Sequence, residues 1–130
     1  MKIERFEDLE IWRLSLKVVE SIYKLVSKES FKRDFGIKDQ ITRAAVSVNS
    51  NIAEGFEKNN NNEFVRFLKI SKGSIGELKS QLLVCKKINY IDETEYKNIE
   101  SNIESLRNQL ARFINYLEKN KKIYKLINNR

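Results

Sequence analysis

Histidine and proline are both missing from this sequence, cysteine occurs once and glycine four times. Without histidine the chain lacks the commonest general base, the commonest protein metal ligand and the usual activator of a Ser or Cys nucleophile. A di-iron bundle of the Glu-x-x-His kind is excluded for the same reason. One thiol, Cys85, cannot form an internal disulfide, in keeping with a reducing compartment. Long apolar runs are also scarce. The longest, Leu82 to Cys85, falls far short of the ~20 residues that cross a bilayer. The start, Met1-Lys2-Ile3-Glu4-Arg5, has no apolar core of a signal peptide, so the expected setting is the cytoplasm, with no membrane contact. Nothing supplies a phosphate loop or a metal-ligand cluster either. Glu54 and Glu77 make a conceivable carboxylate pair, yet no nucleophile stands beside them. The expectation is a protein that is not an enzyme, with no cofactor, no metal and no small-molecule substrate.

What is present is helical patterning. Charged residues make up 33% of the 130 and apolar residues 41%, too apolar for a disordered chain and enough for one buried core. Polar clusters divide the chain into four long segments. In the first, Leu9, Trp12, Leu16, Val19, Tyr23 and Val26 recur at steps of three and four, which predicts one apolar stripe on a helix over about 7–27. Phe31 and Phe35 in the connection that follows are expected to tuck against the core. The second helix, about 37–56, carries Ile37, Ile41, Ala44, Val48 and Ile52, with Gly55 as its expected stop. Asn59 to Asn62 form the clearest loop, with Asn61 or Asn62 as the expected N-cap of a third helix over about 62–88. Its inward residues are Phe64, Phe67, Leu68, Ser71, Ile75, Leu78, Leu82 and Cys85.

Asp92 to Glu95 place acids where the next helix dipole favours them. The fourth helix, about 93–118, carries Tyr96, Ile99, Ile103, Leu106, Leu110, Phe113 and Leu117, the 3.5-residue repeat of left-handed bundle packing. No stretch alternates as a strand does. Short loops between long helices predict an all-α, antiparallel, up-down-up-down four-helix bundle over 1–118. Residues 119–130 form a basic C-terminal tail. It holds five of the 25 basic residues and none of the 18 acidic ones, so most of the net +7 sits there.

Helices two and three carry more small and polar residues than core packing requires. Gln40, Arg43, Ser47, Asn51 and Glu54 line up beside the apolar stripe of the second, and Gly73, Glu77 and Gln81 do so on the third. This pattern predicts a polar seam, within a subunit or at a subunit interface, with Arg43, Asn51, Glu54 and Glu77 hydrogen-bonded along it. Gly73 and Gly76 each cost about 1 kcal/mol relative to Ala inside a helix, so a close approach by another group is expected at both.

The run from Gln40 to Gly55, Gln-Ile-Thr-Arg-Ala-Ala-Val-Ser-Val-Asn-Ser-Asn-Ile-Ala-Glu-Gly, resembles the signature of the four-helix-bundle proteins encoded in intervening sequences of bacterial 23S rRNA genes. Phe6-Glu7-Asp8-Leu9 with Trp12, Ile22-Tyr23, Glu63-Phe64 with Arg66-Phe67-Leu68, Gly73-Ser74 with Glu77-Leu78, and Gln81-Leu82-Leu83 extend the likeness over residues 5–117. The resemblance implies an antiparallel bundle that forms a homopentamer. It also implies similarity in architecture to the basic pentameric accessory proteins of diversity-generating retroelements, and RNA or other nucleic acid as a partner. Two departures stand out. Asn49 occupies a place where the family usually has Pro, and Ser27 to Ser30 lacks the Pro usual after the first helix. Without the first of these the second helix should run straighter.

Two functions follow as expectations. One is non-specific binding of RNA or DNA phosphates by a basic homo-oligomer, since five copies of a +7 chain carry roughly +35. The candidate contacts are Arg43, Arg66, Lys69, Lys72, Lys119, Lys121, Lys122 and Lys125, none assignable to a base because no nucleic-acid-binding signature accompanies them. The other is an oligomeric scaffold that docks a protein through Trp12, Phe31, Phe35 or Phe56, without nucleic acid.

Overall fold

The computed structural model describes residues 3–120. A 3-10 turn, Phe6–Asp8, leads into helix α1 (Glu10–Leu25); a second, Glu29–Phe31, leads into α2 (Phe35–Glu57). Helices α3 (Asn61–Lys87) and α4 (Glu93–Lys119) complete the chain, and the described residues contain no strand. Each helix packs on two others in the cycle α1–α2–α3–α4–α1, and the Cα atoms of the diagonal pairs stay more than 8 Å apart. This arrangement is consistent with a four-helix bundle. No helix among the described residues is long and apolar enough to cross a membrane.

Three of the four helix starts follow from side-chain oxygens that satisfy otherwise orphaned amides. Asp34 accepts from the Ile37 N–H at 3.1 Å and opens α2. Asn60, one residue before the expected cap, accepts from the Glu63 N–H at 2.9 Å and opens α3. It can do so because Asn59 before it takes a left-handed φ of 52°, a conformation that Asn tolerates better than most residues. Asp92 and Glu95 exchange reciprocal 2.8 Å bonds at the start of α4, a capping box.

The core is aliphatic and aromatic: Ile22, Phe31, Ile41, Ile52, Phe56, Phe64, Leu68, Ile75, Leu78, Leu82, Ile103 and Leu106 are fully buried. Each such side chain contributes about 1.5–3 kcal/mol by leaving water. The expected inward residues of α3 are all buried, and those of α4 are buried except Phe113, which lies at the margin beside buried Ile114.

Helix α1 departs from its expected stripe. Its buried residues are Ile11, Ser15, Val18, Ile22 and Leu25, while Leu16 is 38% and Tyr23 52% exposed. The helix carries two adjacent apolar ridges, and a polar Ser15 interrupts the one that faces inward. Ser15 is accommodated because its hydroxyl donates to the Trp12 carbonyl at 2.6 Å and accepts from Asn49 Nδ2 at 3.0 Å. Phe31 is buried against Tyr90 with ring centroids 5.2 Å apart. Phe35, expected to tuck in likewise, is 75% exposed as the first residue of α2.

Gly55 does not stop α2, which runs on to Glu57. Its role is packing: a Cβ there would lie 2.7 Å from Phe67 Cβ and 3.0 Å from Phe64 Cδ1. The close approach expected at Gly73 and Gly76 is instead found here. A Cβ at either of those would meet nothing within 4 Å.

Candidate interaction faces

Where α2 and α3 meet, the polar contacts are made by short side chains. Ser71 Oγ donates to the Val48 carbonyl at 2.8 Å, and the hydroxyls of Ser47 and Ser74 lie 2.9 Å apart. Asn51 Nδ2 donates to the Ser47 carbonyl at 2.8 Å and to its hydroxyl at 3.1 Å. The seam within the chain therefore consists of Ser47, Asn51 and Ser74. The longer side chains predicted to join it are held outside by the closeness of the two backbones. Arg43 turns along its own helix to Asp39 at 2.9 Å, and Gln40, Glu54 and Glu77 are exposed. Gln81 flanks the seam with a buried amide oxygen that has no hydrogen-bond partner.

Outside this seam α3 presents a second face. Ile70, Gly73, Gly76, Ser80, Leu83, Val84 and Ile88 lie on one side of the helix and are exposed. Glu77, Lys69 and Lys87 are the exposed charges on the same side. Four exposed aliphatic side chains beside open backbone at two glycines mark a surface suited to another helix.

The candidate phosphate contacts fall into three groups. Arg43, Arg66 and Lys69 are tied to acids of the chain: Arg43 to Asp39, Arg66 to Glu63 through bonds of 3.0 and 3.2 Å, and Lys69 to Glu118 at 3.2 Å. The Arg66 bond lowers the Glu63 pKa, and Arg66 itself is raised, chiefly by the same bond. The guanidinium also lies over the Phe67 ring, 4.6 Å from its centroid. Lys72 and Lys119 are exposed with no ion pair among the described residues. Lys121, Lys122 and Lys125, with the rest of the tail, lie outside the described residues. Residues 3–120 hold 20 basic and 18 acidic side chains.

Of the aromatic docking candidates, Phe31 and Phe56 are buried in the core. Trp12 is half-buried beside Phe6, its ring centroid 5.1 Å away and its indole nitrogen buried without a partner. Phe35 alone is open; it lines a shallow cleft with Tyr23, Lys38, Asp39 and Thr42. Cys85 is fully buried, and burial pushes its thiol pKa up to about 11. A thiol so shifted stays protonated and unreactive at neutral pH. No group of three or more Cys, Asp or Glu side chains among the described residues is arranged to hold a metal.

The family model described as 23S rRNA-intervening sequence protein matches residues 7–112. Among solved structures, a protein of unknown function from the S23 ribosomal protein family of Bacteroides thetaiotaomicron superposes with a TM-score of 0.73 at 23% identity. The match covers 80% of this chain and 97% of that one. At that identity the likeness bears on the fold alone. No curated protein matches the sequence.

Proposed function

This chain belongs to the 23S rRNA-intervening sequence protein family, and from that premise we propose that it works by assembly and not by catalysis. In this reading it is a cytoplasmic, antiparallel up-down-up-down bundle over 1–118 that associates as a homopentamer. The assembled surface holds RNA or DNA by non-specific phosphate contacts.

The outer face of α3 is the observation that carries the reading. In an isolated chain Gly73 and Gly76 cost about 1 kcal/mol each relative to Ala, and no group fills the space beside them. A neighbouring copy packed on the strip offsets that cost by close backbone approach and by covering Ile70, Leu83, Val84 and Ile88. The antiparallel course is supported by ion pairs between α3 and α4. Lys86 pairs with Glu93, Lys79 with Glu104 and Lys69 with Glu118, so residue numbers fall along one helix as they rise along the other.

Phosphate binding rests on net charge. Lys72, Lys119 and the tail residues Lys121, Lys122 and Lys125 are its first candidates, because Arg43, Arg66 and Lys69 must first give up their carboxylate partners.

The solution mass, measured by light scattering on the same sample as a salt-titrated assay with mixed-sequence RNA, tests both halves. Expected are about five times the 15.4 kDa chain mass and an affinity that falls steeply with salt. Val84→Glu should lower the mass while the helical spectrum is kept. A monomer at tens of micromolar would remove the assembly half, and no RNA binding at low salt the other.

A second reading, an oligomeric scaffold without nucleic-acid binding, is favoured by the exposure of Phe35 beside Tyr23. A specific protein partner retained after nuclease treatment and lost with Phe35→Ser would decide for it.

A further inference from the structure

Among the described residues, the large apolar side chains that stay exposed fall into two groups, with Tyr116 apart from both. Ile70, Leu83, Val84 and Ile88 belong to the α3 strip. Leu16, Tyr23, Phe35 and Val46 lie where α1 meets α2. Leu16 and Tyr23 stand two turns apart on the second apolar ridge of α1, which the core covers only in part. Phe35, Thr42 and Val46 follow at steps of seven and four on one face of α2. Tyr23, Phe35 and Thr42 line one open cleft, so the two ridges border a common groove.

Hydrogen bonds between helices set the height of both surfaces along the bundle. Ser15 on α1 bonds Asn49 on α2 at 3.0 Å, and Ser47 on α2 meets Ser74 on α3 at 2.9 Å. Leu16 and Val46 adjoin those serines in sequence, so they stand within about a turn of the level of Gly73 and Gly76. At the other end Asp34, next to Phe35, accepts from the Tyr90 hydroxyl at 2.8 Å, just past the end of α3. Phe35 and its cleft neighbour Tyr23 therefore stand level with the last turns of α3, which carry Leu83, Val84 and Ile88.

At equal height the two surfaces complement each other. Leu16 and Val46 face the level where a Cβ on either α3 glycine meets nothing within 4 Å, and the two aromatic rings face the level of three exposed aliphatic side chains. The bordering charges are inverse as well: Glu20 and Asp39, the latter bonded to Arg43, with Lys38 at the groove, and Lys69 and Lys87 with Glu77 at the strip. A face that fits a different face of the same molecule makes a head-to-tail contact. When both faces lie at one height, successive copies turn about an axis along the bundle and close into a ring, with no rise to build a filament. We propose that the outer groove of α1 and α2 receives the α3 strip of a second copy, head to tail. The inference rests on the assembly reading above and adds to it the partner of the α3 strip.

The test mixes two variants of the full chain and measures mass by light scattering. Val84→Glu alters the strip, and Leu16→Glu with Val46→Glu alters the groove; all three positions are exposed, so the helical spectrum should be kept. Each variant alone should be monomeric where the unaltered chain assembles. Their equimolar mixture should form a pair of about twice the 15.4 kDa chain mass, because one intact strip meets one intact groove and growth stops there. Tyr23→Glu, at the more exposed position, is a second groove variant expected to pair with Val84→Glu in the same way. Groove variants that assemble to the full mass would overturn the contact and leave the strip to its own counterpart. A mixture that stays monomeric would overturn it too. A monomeric unaltered chain would remove the assembly reading together with this contact, whereas the other two results remove the contact alone.

Discussion

Gly55 on α2 and Phe67 on α3 lie so close that a methyl group on the glycine would stand 2.7 Å from the Phe67 Cβ. That atom belongs to the stem of the side chain and cannot swing aside. Gly55→Ala is therefore expected to destabilise the fold by about 1–3 kcal/mol, the usual range for overpacking a close contact. Urea unfolding monitored by circular dichroism measures it, and an unchanged midpoint would contradict the tight fit.

The opposite sign is expected at Gly76, where a Cβ meets nothing. Gly76→Ala should stabilise the single chain by about 0.5–1 kcal/mol through helix propensity and reduced unfolded-state freedom. If α3 packs on another copy there, the same substitution also lowers the solution mass at a given concentration. Measuring stability at several protein concentrations separates the two effects.

A pH dependence centres on Asp34 and Tyr90. The Tyr90 hydroxyl donates to Asp34 Oδ2 at 2.8 Å. That bond, followed by the Ile37 N–H, lowers the Asp34 pKa, and it is also the main reason the Tyr90 pKa is raised. A lowered carboxylate pKa stabilises the fold above the unfolded value near ~4 and ceases to do so as pH falls through the folded value. A raised phenol pKa stabilises below the unfolded value near ~10 and ceases to do so as pH rises through the folded one. Between those limits Asp34→Asn and Tyr90→Phe should each lower the melting temperature, with non-additive effects in the double variant. Additive effects would show that the pair is not coupled.

Cys85 provides a chemical readout of opening. With its pKa pushed up to about 11 and its side chain fully buried, it should resist a thiol-specific disulfide reagent at pH 8 and react at once in denaturant. Fast labelling of the native chain would mean that the end of α3 opens far more readily than its packing implies.

How legible these features were depended on the number of apolar stripes each helix carries. Helix α4 has one, so the steps from Tyr96 to Leu117 place its core face directly. Helix α1 has two, and the inward one contains Ser15, so the purely apolar neighbour was the better pattern; its Leu9 and Val26 are buried and Trp12 and Val19 pack at the core margin, while Leu16 and Tyr23 are exposed. Only the tertiary partners of Ser15, the Trp12 carbonyl and the Asn49 amide, reveal why a hydroxyl belongs inside. The glycines show the same limit. Gly55, Gly73 and Gly76 are alike in sequence, and only the position of Phe67 tells which one is crowded. The seam between α2 and α3 was legible as a line of small and polar residues. Its membership was not, because backbone separation decides whether Ser or Arg makes the bond. Among the four consecutive asparagines, the left-handed turn at Asn59 set the cap at Asn60.

The Ser15 hydroxyl has its own acceptor in the Trp12 carbonyl, and Asn49 only adds a donor to it. A relative with proline at position 49 would thus leave Ser15 satisfied. The polar contact between α1 and α2 at this point therefore does not depend on the Asn49 side chain, and the buried hydroxyl keeps an acceptor on its own helix whatever the residue opposite it.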